Sequence, residues 1–493
     1  MGSTKTFILV WIGLFCGLFF TSGQTKLTDR SFEQYDRYQE KSLDRRRIKH
    51  EDLLPLIEKL ERHPAFEVNT VGHSIEGRSL SLISIGRGET DVFMWSQMHG
   101  NEPTATMAIF DVINWFKSPD FKEEKRAILA KLRIHFLPML NPDGAELYQR
   151  RNALGVDVNR DALRLQSPES QTLKRVRDSL DAEFGYNLHD QQIYYNAERS
   201  DQPATMTFLA PAYNYEKEVN ATRADAMKVI VYLNRIIQKH IPNKVGKWND
   251  DFEPRAFGDN IQKWGTSTIL IESGGRLGDP EKQVIRKLNF LAFVASFETL
   301  AKKSYTKMPL TEYDAIPQND LKLFDLKITN LTYLLRGKPY TIDLGIRRYE
   351  QDDKDHRYFH FEGRIVEKGD LSTYYGYETF DASGYTAVAP KVTYNTTQAE
   401  NGMLFLVNDE ELLNKGVAYV RAEGIAPDTH FTKSPLHLVP RNFELPPFTL
   451  NMGQNPTFFL KKEGKLTHAV INGFLLELPN PDYGNFGNAL IIR

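Results

Sequence analysis

Asp91-Val92-Phe93-Met94-Trp95-Ser96-Gln97-Met98-His99-Gly100-Asn101-Glu102-Pro103 is the stretch from which this chain is read. Its first seven residues form a strand-like run, and Thr104 to Phe116 after Pro103 has helical spacing. Between them stand a histidine and a carboxylate three residues apart, at a strand-to-helix turn. These are two zinc-ligand types, and hydrolytic zinc sites commonly use two His and one Glu with the fourth position left to water. Glu102-Pro103 also suits a helix start, where proline fits the first turn and the dipole favours an acid. The remaining chain has to supply a third ligand, a base and a grip on substrate.

Outward from that stretch, apolar strands alternate with helices from about residue 66 to 307. Strands are expected at Ser79–Ile85, Asp91–Gln97, Arg133–Met139, Phe184–His189 and Thr268–Glu272. Helices are expected at Thr104–Phe116, Ser170–Asp181, Ala224–His240 and Lys282–Lys302. This alternation argues an α/β domain around a largely buried sheet. Sites in such sheets sit at strand ends. Residues 24–65 form a charged helical segment with Leu53, Leu54, Ile57 and Leu60 on one face. Residues 308–493 read as a separate all-β domain, with short runs such as Thr341–Ile346, Phe359–Glu367, Tyr385–Val392 and Thr457–Lys461.

The chain has 493 residues, 41% hydrophobic and 26% charged, as in an ordinary soluble globular protein. Its formal net charge of -2 gives no electrostatic reason to bind nucleic acid. Lys5 precedes an apolar run from Phe7 to Phe20, followed by Thr21-Ser22-Gly23. That pattern reads as a secretory signal peptide over residues 1–23, with no stable membrane span after its removal. Cleavage removes Lys5 and no acid, so the charge moves from -2 to -3. The only cysteine, Cys16, lies inside that run, so the mature chain carries no disulfide. An exported protein of this size without disulfides fits a bacterial periplasm, surface or medium.

Further chemistry-bearing residues close other strands. His189, in Asn187-Leu188-His189-Asp190, is the natural third ligand, with Asp190 able to orient a ligand. Glu272 closes Thr268-Ile269-Leu270-Ile271, and a carboxylate there faces either a site or a salt bridge, for which Arg276 is near. As a general base it can take a proton from water and return it to a leaving amine. Asn141-Pro142-Asp143-Gly144 is a turn signature. Arg150-Arg151-Asn152-Ala153-Leu154-Gly155-Val156-Asp157-Val158-Asn159-Arg160 is a solvated loop or a set of guanidiniums for gripping carboxylates and an oxyanion.

His99-x-x-Glu102, the Asn141–Gly144 block, Arg150-x-Asn152-x-x-Gly155-x-Asp157-x-Asn159-Arg160, His189 and Glu272 together resemble the zinc carboxypeptidases of the carboxypeptidase A type. They occur in that family's order, and Gly72-x-Ser74-x-Glu76-Gly77-Arg78 is similar to its early strand-turn segment. The resemblance covers about 66 to 300. It implies an α/β/α sandwich around a mixed, mainly eight-stranded sheet. It implies one Zn2+ per chain on His99, Glu102 and His189, with Arg150 polarising the scissile carbonyl. It also implies Asn159 and Arg160 holding the substrate carboxylate and Glu272 as base.

The chain departs from the family in lacking a tyrosine between Tyr232 and Glu272, where Trp248, Phe252 and Phe257 stand instead. Tyr194, Tyr195, Tyr213 and Tyr215 are the possible substitutes. In the specificity region Arg255 suits acidic side chains and Phe257 apolar ones, and both readings stay open. The resulting expectation is an exported zinc metallocarboxypeptidase acting on peptide or peptidoglycan-derived substrates. Its rivals are a peptidoglycan stem-peptide amidase of the same fold, a zinc deacylase of the aspartoacylase type, and an inactive peptide- or glycan-binding protein.

Overall fold

The structure is a computed structural model that describes residues 27–393, 395–400, 403–404, 408–482 and 492. The apolar run Phe7 to Phe20, Cys16 and the expected cleavage point lie outside the described residues. Among the described residues no helix is long and apolar enough to cross a membrane.

Among the described residues nine strands precede residue 308: β1 Phe66–His73, β2 Ser79–Gly86, β3 Thr90–Ser96, β4 Leu132–Leu137, β5 Phe184–Asp190, β6 Asn196–Ala197, β7 Met206–Leu209, β8 Val245–Lys247 and β9 Ser267–Ser273. Eight of them form one sheet in the order β1-β2-β4-β3-β5-β9-β7-β8. Strands β4, β3, β5 and β9 run parallel, while β1, β2 and β7 introduce antiparallel pairings, so the sheet is mixed. Side chains alternate across it as strand geometry requires. Val92 and Met94 of β3 join one apolar cluster, and Phe93 and Trp95 join the other. Helices Thr104–Lys117, Ala221–Ile237 and Gln283–Lys302 cover the first face. Helices Pro168–Leu180 and Phe257–Lys263 cover the second. The architecture is the expected α/β/α sandwich.

The short β7, β8 and the helix Lys122–Leu129 carry little periodic signal and emerge only from the fold. The segment before the sheet is tied to its first helical layer through a fully buried carboxylate. Asp111 accepts from Tyr35 Oη at 2.8 Å, from the Glu40 amide at 2.7 Å and from Arg286 Nε at 2.7 Å.

After residue 318 the chain is mostly β. β10 Asn319–Asp320 pairs with β6, and β11 Leu323–Leu335, β12 Lys338–Asp352 and β13 Phe359–Gly369 begin an eight-stranded sheet. Leu326, Ile328, Leu344, Ile346 and Ile365 from these strands share a buried cluster with Phe458, Leu460 and Val470. A further sheet gathers around Val417–Glu423.

Candidate metal centre and catalytic cleft

β3 ends at Ser96, and the chain turns sharply so that His99 and Glu102 project beyond the sheet. Gln97 adopts a left-handed φ of 52°, and its side-chain Nε2 donates to the Gly100 carbonyl at 2.8 Å. A Cβ at Gly100 would lie 2.0 Å from the Gly144 backbone, so this turn admits only glycine beside the Asn141–Gly144 block. Asn141 accepts from the Gly144 amide at 2.9 Å. Asp143 accepts from Ser74 Oγ at 2.6 Å and Arg78 at 2.7 Å. Two of the sequence blocks therefore brace one another under the turn without entering the site.

β5 neighbours β3, so its end brings His189 to the same place. His99, Glu102 and His189 are buried, and their ligand-type atoms lie within 4.8 Å of one another. The Nδ1 of His99 is 2.8 Å from Glu102 Oε1, and the Nδ1 of His189 is 2.7 Å from Oε2. Arg150 Nη1, which can only donate, lies 3.1 Å from His99 Nδ1. That nitrogen therefore carries the lone pair, and Nε2 donates to Asp157 Oδ1 at 3.1 Å. Lone pairs and a carboxylate facing each other at these distances call for a cation between them. Burial pushes Glu102 upward, but His99 and His189 together hold it well below the carboxylate range. Two imidazoles and one carboxylate, with Asp157 orienting His99 from behind, form a donor set that fits Zn2+.

Glu272 sits beside His189 in the register of β5 and β9. It is buried, and among the described residues it forms no ion pair, so the Arg276 alternative is not realised. Burial, reinforced by the nearby Glu102 and Asp190 charges, raises its pKa well above the usual value. Asp190 does not reach a ligand imidazole with its carboxylate. It accepts from Thr104 Oγ1 at 2.5 Å and pairs with Lys282 at 3.2 Å, while its amide donates to Glu102 at 3.2 Å.

The loop from 150 to 160 crosses the site. Arg150 Nε donates to Asp157 Oδ2 at 2.9 Å, and the guanidinium is 42% exposed, free to meet a ligand on its open side. Asn159 is buried: its Oδ1 accepts from the Phe257 amide at 2.9 Å, and its Nδ2 lies 3.5 Å from His189 Nε2. Arg160 donates to the Asn159 carbonyl at 2.7 Å and lies 3.5 Å from Glu253. All seven expected site residues line one cavity of about 1010 Å³.

Asp157 and Lys282 are further members that the pattern of residues did not single out for a role, and Tyr195 is the one of the four candidate tyrosines that stands beside Glu272. Asp157 stands in the sequence as the acid between two arginine positions, whereas Lys282 gives no such signal. Tyr195 lines the cavity, packs at a tilt against Trp248 with 5.0 Å between ring centroids, and has its hydroxyl pKa raised by burial and then by Glu272. Tyr194 is committed elsewhere, donating to Asp325 at 2.8 Å, and Tyr213 and Tyr215 are not among the cavity residues. In the specificity region neither expected side chain faces the cavity. Arg255 folds back onto Glu253 at 2.9 Å, Phe257 is core, and Ala256 and Asp259 line the wall.

Residues 54–233 match the family model described as zinc carboxypeptidase. The chain is 29% identical over 177 residues to Carboxypeptidase SOL1 of Arabidopsis thaliana, covering 29% of this chain and 35% of that protein. It is 30% identical over 139 residues to the Carboxypeptidase N catalytic chain of Homo sapiens, covering 23% of this chain and 30% of that one. It thus spans about a third of the length of these curated relatives. A metallo-carboxypeptidase structure from Burkholderia cenocepacia superposes with a TM-score of 0.42 at 16% identity, covering 52% of this chain and 69% of that chain. Residues 54–233 of this chain are thus similar to the zinc carboxypeptidase family.

Proposed function

We propose that this protein is an exported zinc metallocarboxypeptidase that hydrolyses the C-terminal peptide bond of its substrates. The observation that carries the reading is the buried His99–Glu102–His189 cluster with Glu272 beside it on the neighbouring strand. When bound, Zn2+ supplies Lewis-acid polarisation and lowers the pKa of water. Glu272 has a raised pKa and no neutralising partner, so its carboxylate can take a proton from the attacking water and later deliver it to the leaving amine. Arg150 presents its exposed side to the oxygen on which charge develops. Arg160 offers its half-exposed guanidinium to the substrate carboxylate, and the buried Asn159 fixes the backbone beneath it. Tyr195 stands near Glu272 in the role left open by the missing loop tyrosine. Export rests on Lys5 and the apolar run from Phe7 to Phe20.

The test is digestion of a mixed peptide library with the purified protein, reading released residues by mass spectrometry. Stepwise loss of single C-terminal residues supports the proposal. Internal cleavage, or release of acyl groups alone, overturns it.

A further inference from the structure

The cavity around Glu272 is not walled by the α/β domain alone. β12 contributes Arg348, Tyr349, Glu350 and Gln351 to its lining, and β13 contributes Phe361. Tyr349 and Gln351 are two apart on a strand, so they share a face, and both are exposed.

This wall is fastened to the catalytic residues at two points. The hydroxyl of Tyr194, five residues after His189, lies 2.8 Å from both Asp325 Oδ2 and the Arg348 carbonyl, so its single proton bridges between two acceptors. Tyr377 of the β-domain donates to the Ile193 carbonyl at 2.5 Å. The second point is Tyr148, two residues before Arg150. Its hydroxyl accepts from Arg46 at 3.0 Å, and its ring lies 4.0 Å under the Arg47 guanidinium. Arg46 pairs with Glu350, and Arg47 pairs with Glu350 at 3.0 Å and Asp352 at 2.6 Å, while the Arg47 guanidinium also lies 4.2 Å over the ring of Phe359. The two arginine side chains are 7% and 1% exposed. Ion pairs so well sheltered from solvent hold a defined geometry, because separating them strands buried charge.

The 148–160 loop orients this wall relative to substrate. Its Arg160 end meets Glu253, on the side of Trp248 and Asp259; its Tyr148 end meets the β-domain. A peptide whose terminal carboxylate lies at Arg160 and whose scissile carbonyl lies at Arg150 extends its preceding residues toward β12. We infer that Tyr349 and Gln351 form the subsite for the substrate residues upstream of the scissile bond, making the β-domain part of the catalytic cleft. The tyrosine ring offers an apolar face and the glutamine amide pairs with peptide backbone, so the ligand is an extended polypeptide tail of several residues. The inference rests on the carboxypeptidase reading for its direction.

The test compares an N-acylated dipeptide with a hexapeptide ending in the same two residues. Wild-type protein is expected to prefer the hexapeptide in kcat/KM. Tyr349→Ala combined with Gln351→Ala is expected to lower that preference about tenfold, the equivalent of one or two lost contacts, chiefly through KM. Tyr349→Phe, which retains the ring, is expected to restore most of it. Because both positions are exposed, a thermal melt matching wild type establishes that the variants fold. The same comparison in the Glu272→Gln background, reading peptide affinity by calorimetry, needs no turnover. An unchanged hexapeptide-to-dipeptide ratio in folded variants, in kinetics or in affinity, overturns the inference. Absence of turnover in wild type with a wall-dependent hexapeptide affinity overturns the carboxypeptidase reading and leaves the subsite standing.

Discussion

His189 and Glu272 lie directly opposite each other on the adjacent parallel strands β5 and β9. One residue supplies an imidazole to the cluster with His99 and Glu102, and the other supplies a carboxyl with no ion-pair partner among the described residues. A parallel pairing gives both side chains the same end of the sheet, so the imidazole and the carboxyl are held side by side by backbone hydrogen bonds. Glu272→Gln keeps the shape and removes the proton acceptor. Hydrolysis is expected to fall about 10²–10⁴-fold, the usual share of general base catalysis. Elemental analysis of the same protein is expected to show undiminished zinc, and turnover near that of wild type would remove Glu272 from this role.

Zinc retention is expected to depend on both histidines. His99→Ala and His189→Ala are predicted to purify with far less than one zinc per chain by elemental analysis, with unaltered circular dichroism. Asp157→Asn leaves the three ligands in place but weakens the acceptor that orients His99. A loss of about 10–100-fold in zinc affinity is expected, measured by competition with a chelator.

Arg160→Ala is expected to raise KM for peptides about 10–100-fold, as loss of one charge-assisted hydrogen bond of about 1.5–3 kcal/mol implies. A substrate with an amidated C-terminus is expected to be resistant in wild type. The two effects are not additive, because both remove the same interaction. Steady-state kinetics on the free and amidated forms of one peptide check this, and equal cleavage of the two would exclude carboxylate recognition.

Stability of the α/β domain leans on a pair far from the cleft. Asp111 and Arg286 are both fully buried, and Asp111 also receives Tyr35 and the Glu40 amide. Asp111→Ala leaves the guanidinium without its counter-charge, so a loss of about 3–5 kcal/mol is expected in denaturant unfolding.

Asp259 carries a pH signature. Burial pushes its carboxyl up to about 7, partly offset by the Glu253 amide that donates to it at 3.0 Å. With the folded pKa raised, the native state holds a proton that the unfolded chain releases near an ordinary aspartate value. Its contribution is therefore fully present at low pH and is lost as pH rises to about 7. The melting temperature of Asp259→Asn relative to wild type is expected to climb between about pH 4 and 7 and then level off. A difference that stays flat over that window would show that Asp259 is ordinarily ionised.

Much of this protein was determined along the chain. Apolar runs such as Val92 to Trp95 and Ile269 to Ile271 are buried on both sheet faces, so their hydrophobicity alone announces a covered sheet. His99 and Glu102 share one turn, so their spacing spoke for itself. Only the tertiary structure decided what depends on distant segments meeting. Strand order brought His189 and Glu272 into register, and the fold turned Asp190 away toward Thr104 and Lys282. It sent Arg255 and Phe257 away from the cavity, set Tyr195 near Glu272 while committing the Tyr194 hydroxyl to Asp325, and set β12 against the cleft. Residue type and local spacing encode which groups can do chemistry. Which of them face one another is set by side-chain direction and by contacts across hundreds of residues, and these exist only once the sheets have packed.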